Sequence, residues 1–263
     1  FAFASTSAIA KNDYSCDKKF IFFPGGPEGG PFGTIVYNGA VAAAEHTGCD
    51  VDYYWSQWNS EIMIKQFKEA VALQPDGIAI YGFPGDAAMR PIINEAREMG
   101  IVITTMNTPL PDLEAELKTT GFGYAGADLF AAGFNLGKKG VEVCGLEAGD
   151  KAFVWGLASM PNRGERTKGA IAGVESMGVE VVYQEIPDNV NSDASQGTPM
   201  YVATYSANPD IKMAITDHGG LTASLPTYMK AAGHGTEAVC GAGFDLLAPI
   251  VDGIKSGYID VVI

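Results

Sequence analysis

The sequence predicts an α/β protein made of two doubly wound, Rossmann-like lobes with parallel sheets, joined by a hinge. Two observations predict this fold class. Short apolar runs bounded by turn residues alternate with segments of helical spacing along the 263 residues. A glycine-rich stretch near the middle, Thr119–Asp128, separates the first four apolar runs from the last four.

The eight apolar runs are predicted to be strands. They are short, rich in β-branched and aromatic residues, and not strictly alternating, which is typical of strands buried on both faces of a parallel sheet. They are Phe20–Phe23, Val51–Trp55, Gly77–Tyr81, Ile101–Met106, Ala152–Trp155, Val179–Tyr183, Met213–Thr216 and Val239–Phe244.

Helical spacing predicts five helices between these strands. They are Ser60–Val71, Ala87–Met99, Asp128–Val143, Glu165–Met177 and Leu221–Ala232. Glycine follows three of them, as helix C-termini prefer. Because the connections are short, the strand–helix–strand units imply right-handed crossovers and therefore parallel sheets.

Chain length favours two lobes over one eight-stranded sheet, since domains commonly have about 100–150 residues. We expect an N-terminal lobe over residues 1–125, of which residues 1–17 form a leader segment. The C-terminal lobe is expected over residues 126–263. The glycine-rich residues around Tyr124–Ala127 are predicted to link the two.

Composition excludes several classes of partner. The chain has 17 Lys+Arg against 31 Asp+Glu, a net charge of −14, so we expect no nucleic-acid binding, which needs clustered cations. No apolar run approaches the ~18 residues of a membrane span. The first ten residues resemble the end of a signal peptide with cleavage positions at Ser7-Ala8 or Ile9-Ala10, although an ordinary N-terminus is the alternative. Export is the favoured interpretation.

The four cysteines lack the spacing of a zinc site. Cys16 and Cys49 each precede a predicted strand, so a disulfide can form if those strands are parallel neighbours. Whether it forms stays open at this point. For Cys144 and Cys240, buried free thiols are favoured.

Catalytic signatures are absent from the sequence. The Gly-rich loop Pro24–Phe32 fails the G-x-G-x-x-G spacing, and Pro27 and Pro31 lack the N–H groups that a pyrophosphate needs. No Walker A motif, G-x-S-x-G elbow or H-E-x-x-H helix occurs. We therefore expect no enzyme, no catalytic residues, no cofactor and no metal. Ligands of open parallel sheets bind outside the carboxyl ends of the strands, so the loops there are the candidate site.

Seven stretches carry a resemblance to a known family by their order and spacing. They are Gly30–Gly33, Gly100–Thr108, Asn162–Gly169, Ala207–Lys212, Thr216–Thr222, Gly243–Asp245 and Ser256–Asp260. Together they resemble the sugar receptors of bacterial ABC importers, the ribose-binding-protein-like class with the type I periplasmic binding protein fold. The resemblance covers roughly residues 18–263.

This resemblance implies a periplasmic receptor whose lobes close on a small sugar or polyol and deliver it to a membrane ABC permease. It implies a monomer without catalytic activity. The matched positions imply that Phe32 stacks on the sugar and that Asn107 contacts it from the first lobe. From the second lobe, the implied contacts are Asn162 or Arg163, Asp217 and Asp245. Arg166 is expected to form a structural ion pair.

Residue chemistry adds four candidates in loops at strand ends. Trp58 and Trp155 can face a sugar ring, Gln57 can bond a hydroxyl, and His218 lies beside Asp217. The chain departs from the ribose pattern, because Asn107-Thr108 stands where ribose receptors have Asp-Arg. We therefore expect a different pentose, hexose, deoxysugar or polyol. The resemblance also implies that residue 263 lies near a return crossover to the first lobe.

Two other classes remain as alternatives. One is a small-molecule sensor of the same fold, either a chemoreceptor ligand or a LacI-like regulatory core. The other is a Rossmann-type enzyme, which the missing motifs disfavour.

Overall fold

The computed structural model describes residues 16–263, so the expected leader cleavage positions lie outside the described residues. In this part of the chain, ten strands form two five-stranded sheets. The first sheet contains β1 (Lys19–Phe22), β2 (Asp50–Tyr53), β3 (Gly77–Tyr81), β4 (Val102–Met106) and β5 (Gly123–Ala125). The second contains β6 (Lys151–Gly156), β7 (Glu180–Glu185), β8 (Ile211–Thr216), β9 (Cys240–Gly243) and β10 (Val261–Val262).

The two sheets have the same topology. The strand orders are β2-β1-β3-β4-β5 and, read from its other edge, β7-β6-β8-β9-β10, and every pairing is parallel. In each lobe, the second strand along the chain pairs with one side of the first strand, and the third strand pairs with its other side. This change of direction is the topological switch point, beside which open parallel sheets bind ligands. The predicted fold class is confirmed: two doubly wound parallel lobes.

Helices cover both sheets. They are α1 (Pro31–Thr47), α2 (Ser60–Ala72), α3 (Asp86–Glu98), α4 (Pro111–Leu117), α5 (Leu129–Cys144), α6 (Glu165–Glu175), α7 (Asp188–Ser192), α8 (Thr198–Ala207), α9 (Gly219–Ala231) and α10 (Ala248–Lys255). All five predicted helices are present. The longest unpredicted one is α1, which begins with Pro31 in its first turn, where the missing N–H costs nothing. Only Gly33 of α1 is buried, so the helix lacks the apolar stripe that would have predicted it.

The stretch predicted as a linker is largely a strand. Gly123–Ala125 pairs with β4 as the edge strand of the first sheet, and only residues 126–128 lead from it to α5. The Tyr124 hydroxyl lies 3.0 Å from the Asn107 carbonyl and 2.8 Å from the Ala127 carbonyl. Asp128 caps α5 by accepting from the Ala131 N–H at 2.9 Å. A three-residue glycine-containing strand has no pattern of its own, which is why the sequence did not predict it.

Helices α5 and α6 pack backbone to backbone. Gly133 and Gly137 of α5 face Gly169 and Gly173 of α6, and a Cβ on any of the four would overlap a carbonyl oxygen of the other helix. Such close approach requires residues without side chains. The contact fixes the start of α6, which carries Arg166.

Both pairs of cysteines are disulfides. Cys16–Cys49 joins the residues before β1 and β2, with Cα atoms 4.7 Å apart. Cys144–Cys240 joins the end of α5 to the start of β9, with Cα atoms 5.8 Å apart. The prediction of free thiols at Cys144 and Cys240 was wrong, because the sequence does not show that α5 ends beside β9.

Within residues 16–263, no helix combines the length and the apolar character that crossing a membrane requires.

Candidate functional site

A cavity of about 350 Å³ lies between the lobes, at the carboxyl ends of both sheets. Its first-lobe wall comes from the loops after β1, β2, β3 and β4. Its second-lobe wall comes from the loops after β6, β8 and β9, together with the segment from α7 to Ser195. The volume is at the lower end of the range of about 300–1,000 Å³ for small-molecule sites.

Four aromatic rings lie together on the first-lobe wall. The Trp58 ring centroid lies 6.1 Å from that of Phe32, 5.5 Å from that of Tyr81 and 6.3 Å from that of Phe83. Tyr81 and Phe83 are almost fully buried. Because each ring is held by the others, the wall is a rigid apolar surface that suits the C–H face of a flat ligand.

The Trp58 indole is placed by unusual backbone. Gln57 and Trp58 have φ values of 57° and 54°, in the left-handed region that non-glycine residues rarely adopt. Gly25 and Gly26 leave room for the indole, and a Cβ on Gly26 would lie 2.6 Å from Trp58 Nε1. Strain of this kind is concentrated at binding sites. Asn107, Asn162 and Asp245, in other loops around the cleft, also have positive φ values.

Two polar atoms of the first-lobe wall lack partners. The Tyr81 hydroxyl and Thr108 Oγ1 are buried and have no hydrogen-bond partner among residues 16–263. Burial raises the pKa of Tyr81, and the negative charge of Asp245 across the cleft adds to the shift. Both hydroxyls therefore remain protonated donors, and both residues line the cavity.

The second-lobe wall is built around Asp217, which is 3% exposed. Arg163 Nη2 lies 2.9 Å from Asp217 Oδ2, and Arg166 Nε lies 3.3 Å from Oδ1. Both guanidinium groups also donate to the Asp217 carbonyl oxygen. Asp217 thus holds two arginines side by side from behind the cavity wall.

Arg166 is the more enclosed of the two arginines. Its guanidinium carbon lies 4.1 Å from the centroid of the Phe244 ring, a cation–π contact. Burial lowers the pKa of Arg166 to about 10, and the adjacent Arg163 adds to the lowering. At neutral pH it stays charged. Arg163 Nη1 is buried and has no partner in the described chain.

His218 caps α9 and lines the cavity. Its Nδ1 accepts from the Leu221 N–H at 3.4 Å, so the neutral ring carries its proton on Nε2. Burial lowers the pKa of His218 to about 4, although the Asp217 charge opposes the shift. Nε2 has no partner within residues 16–263. His218 is therefore a neutral donor at physiological pH.

Asp245 is the carboxylate on the cavity wall that follows β9. Its Oδ2 accepts from the Gly219 N–H, at the start of α9, at 2.8 Å. Gly219 has no room for a side chain, since a Cβ there would overlap Asp245. Oδ1 has no hydrogen-bond partner among residues 16–263, so one oxygen remains to accept from a ligand.

Six of the ten predicted contact residues line the cavity. They are Phe32, Trp58, Asn107, Arg163, His218 and Asp245. The strand-end loops therefore converge as expected. This placement is compatible with ligand contact.

The other four predicted residues do not line it. Gln57 is exposed, and Trp155 is fully buried in the second core, 5.6 Å from the Tyr228 ring centroid. Asp217 lies behind Arg163 and Arg166. Asn162 instead bonds to the first lobe, where its Nδ2 donates to Asp86 Oδ2.

Sequence reasoning missed several lining residues. Phe83 and Thr108 lie in loops that the strand-end rule had selected, and Tyr81 is the last residue of β3, but no motif distinguished them. Leu157 and Met160 also line the cavity, and an aliphatic side chain carries no signal of ligand contact. Arg166 was expected only as an ion-pair residue, and it both pairs with Asp217 and lines the wall.

The cavity, the twin sheets and the inter-lobe cleft agree with the comparison to known families. Residues 21–263 match the model of the Periplasmic binding protein domain. The chain belongs to this family. The resemblance predicted from the seven motifs is confirmed. No curated protein matches the sequence.

Solved structures share the fold of this periplasmic binding protein. A glucose-galactose binding protein, GanP, from Geobacillus stearothermophilus is 22% identical with a TM-score of 0.78, covering 92% of this chain and 82% of its own. A solute-binding protein from Burkholderia graminis in complex with D-arabinose is 21% identical with a TM-score of 0.79, covering 93% and 82%. One from Agrobacterium vitis bound with α-D-tagatopyranose is 21% identical with a TM-score of 0.78, covering 92% and 81%. At these identities the likeness concerns the fold.

Proposed function

We propose that this protein is the solute-binding receptor of an ABC importer and captures a small sugar or polyol between its lobes. One observation carries the proposal. Ten buried side-chain polar atoms lack hydrogen-bond partners in the described chain. Four of the ten, two on each lobe, belong to residues that line one cavity: Tyr81 Oη, Thr108 Oγ1, Arg163 Nη1 and His218 Nε2. Unpaired buried polar atoms cost about 1–3 kcal/mol each. A hydroxyl-rich ligand relieves that cost.

The chemistry of the two walls suits a carbohydrate. The rings of Phe32 and Trp58 offer apolar faces to sugar C–H groups. Arg163 and His218 donate to hydroxyl oxygens, and Asp245 accepts from a hydroxyl proton. The three solved structures named above bind sugars by their own descriptions, which supports the same class here.

Capture requires that the lobes move relative to each other. We take residues 16–125 and 126–263 as the two lobes, with residues 126–128 as a hinge. A ligand that touches both walls binds the closed form more tightly, so it shifts an open–closed equilibrium. Met160 packs against the cores of both lobes, as expected for closure.

The compartment and partner follow from this role. Two disulfides are typical of an oxidising compartment, in agreement with the periplasm. A receptor there releases its ligand to an ABC permease in the membrane and performs no catalysis. We propose a monomer, as residues of one chain line both walls of the cleft.

Ligand binding tests the proposal directly. The protein is unfolded, dialysed to remove bound ligand and refolded with its disulfides intact, and then screened by thermal shift and calorimetry against pentoses, hexoses, deoxysugars and polyols. At 100 times its Kd, a ligand stabilises the fold by about 2.7 kcal/mol. The absence of a response across the panel contradicts the proposal.

A matched pair of variants locates the site. Asp245→Asn keeps an oxygen for the Gly219 N–H but removes the charge, so affinity should fall about tenfold or more. Asp252→Asn changes an exposed carboxylate on α10 and should leave affinity unchanged. Equal affinities for both variants would place the ligand elsewhere.

A further inference from the structure

The second-lobe wall of the cavity holds donors that no acceptor of the described chain satisfies. Arg163 and Arg166 line the cavity, and a guanidinium group donates hydrogen bonds but does not accept them. His218 also lines it, and its neutral ring donates through Nε2. Arg163 Nη1 and His218 Nε2 are buried and have no hydrogen-bond partner among residues 16–263. A ligand group that accepts without donating therefore suits this wall.

The two arginines of this wall share a single carboxylate. Arg163 Nη2 lies 2.9 Å from Asp217 Oδ2, and Arg166 Nε lies 3.3 Å from Asp217 Oδ1. Two positive charges therefore face one negative charge. The further carboxylate at this wall, Asp245, accepts from the Gly219 N–H at the start of α9, so the positive end of the α9 dipole offsets part of its charge.

Helix α1 adds positive potential from the first lobe. Residues 30–33, at its start, line the cavity. No side chain caps this helix, and its first turn has no acidic residue. The first turn of α9 has none either. Each helix N-terminus is equivalent to about half a positive charge, so α1 and α9 together balance Asp245. The charge of one arginine stays without a counter-charge.

Exposed carboxylates near the cavity change this balance little. Asp193 lines the cavity, but it is exposed, and its oxygens accept from Ser195 and Gln196 of the same loop. Glu28 precedes α1, is exposed and lies outside the cavity wall. Because solvent and salt screen exposed charges, the unmatched guanidinium remains the main charge that a bound ligand meets.

We propose that the captured sugar carries a carboxylate, as a uronic or aldonic acid does, and that this group binds at Arg163. The inference rests on the proposed function and narrows its substrate class. A carboxylate accepts without donating and supplies the missing negative charge, so its bond to a guanidinium is stronger than that of a hydroxyl. A phosphate ester carries about 1.5–2 negative charges, which exceeds the one unmatched positive charge.

Matched pairs of ligands test this inference. Each pair differs only in a carboxylate against CH₂OH: D-glucuronate and D-glucose, D-galacturonate and D-galactose, D-gluconate and D-glucitol. Calorimetry gives both Kd values for each pair. Both members share the other hydroxyls, and in a pair that binds the acid should bind about 10-fold to about 100-fold more tightly. Tighter binding of D-glucose 6-phosphate than of D-glucuronate would overturn the assignment of a carboxylate.

Variants of Arg163 locate the acid group. Arg163→Gln removes the charge, so the preference for the acid should fall about tenfold or more, whereas Arg163→Lys keeps the charge and should retain more of the preference. The ratio of the two Kd values is the readout, because the lost contact with Asp217 affects both members of a pair. Lys168→Gln removes an exposed charge on α6, outside the cavity wall, and should leave the ratio unchanged. Thermal unfolding confirms that each variant is folded.

The outcomes separate the two proposals. A neutral sugar that binds as tightly as its acid partner, or more tightly, overturns the carboxylate inference and leaves the sugar receptor standing. A preference that Arg163→Gln does not change, or that Lys168→Gln lowers equally, overturns the assignment of the acid group to Arg163. Failure of every sugar, polyol and sugar acid to bind overturns both proposals.

Discussion

Asn162 of the second lobe and Asp86 of the first are joined by a hydrogen bond across the cleft. Asn162 Nδ2 donates to Asp86 Oδ2 at 3.0 Å and lies 3.1 Å from the Pro109 carbonyl oxygen. Asp86 Oδ1 is held in turn by the Leu113 N–H at 3.0 Å. Asn162 has a φ of 54°, which directs its amide out of its own lobe. The pair joins the two lobes outside the cavity wall.

Asn162→Ala should therefore weaken binding of every ligand by a common factor of about 10 to about 150, since a hydrogen bond to a charged group contributes about 1.5–3 kcal/mol. The ranking of ligands should not change, and dissociation should accelerate more than association slows. Stopped-flow binding measures both rates. A double-mutant cycle with Asp86→Ala should show strong non-additivity. A changed ligand ranking would instead make Asn162 a ligand contact.

Tyr81→Phe removes a buried hydroxyl that has no hydrogen-bond partner in the described part of the chain. Ligand affinity should fall about tenfold, while the ligand-free protein should be equally stable or more stable, because an unsatisfied buried group is lost. Tyr201→Phe is the matched control, since Tyr201 is fully buried in the second core and is absent from the cavity wall. Equal affinity losses in both variants would show that removing any buried tyrosine hydroxyl weakens binding, whether or not the residue lines the cavity.

His218 should make folding stability depend on pH. Burial lowers its pKa in the folded protein to about 4, below the usual value of 6.5, so between these values the unfolded chain binds more protons. The contribution of His218 to the free energy of unfolding is fully present above about pH 6.5. This contribution falls as the pH is lowered towards 4, by at most about 3 kcal/mol. The charged groups that act on it are Asp217, Arg163 and Arg166.

Urea unfolding from pH 4 to pH 7 measures this dependence. His218→Asn retains a side-chain acceptor for the N-terminus of α9 but does not titrate, so its stability should change less over the same interval. If the free energies of unfolding of the two proteins changed equally with pH, the pH dependence would come from carboxylates and not from His218.

Substituting glycine by alanine should distinguish a glycine that packs against another helix from a glycine on an open helix surface. In Gly169→Ala the new Cβ overlaps the Phe130 carbonyl oxygen of α5, so stability should fall by about 1–3 kcal/mol or more. Gly39→Ala in α1 meets nothing within 4 Å and should raise stability by about 0.5–1 kcal/mol. Thermal unfolding of the two variants gives the comparison. A stable Gly169→Ala protein would contradict the backbone contact between α5 and α6.

Local patterns were sufficient for the regular elements that bury an apolar face. All eight predicted strands and all five predicted helices are present, because apolar periodicity is a property of adjacent residues. The exceptions are instructive. Helix α1 has little buried surface, and β5 is a strand only because β4 pairs with it. Neither feature can be predicted from the residues of the segment alone.

The candidate site divides in the same way. The amino-acid order showed which loops lie at the carboxyl ends of the strands, because that depends only on strand–helix alternation. Tyr81 and Trp155 both stand at or near strand ends, yet Tyr81 lines the cavity and Trp155 lies in the core. Successive strand residues point to opposite faces, and which face meets the cleft depends on the packing of helices and on the docking of the lobes. Contacts across the cleft, such as the hydrogen bond between Asn162 and Asp86, join residues that are remote in the chain. They therefore form only after both lobes have folded and docked against each other.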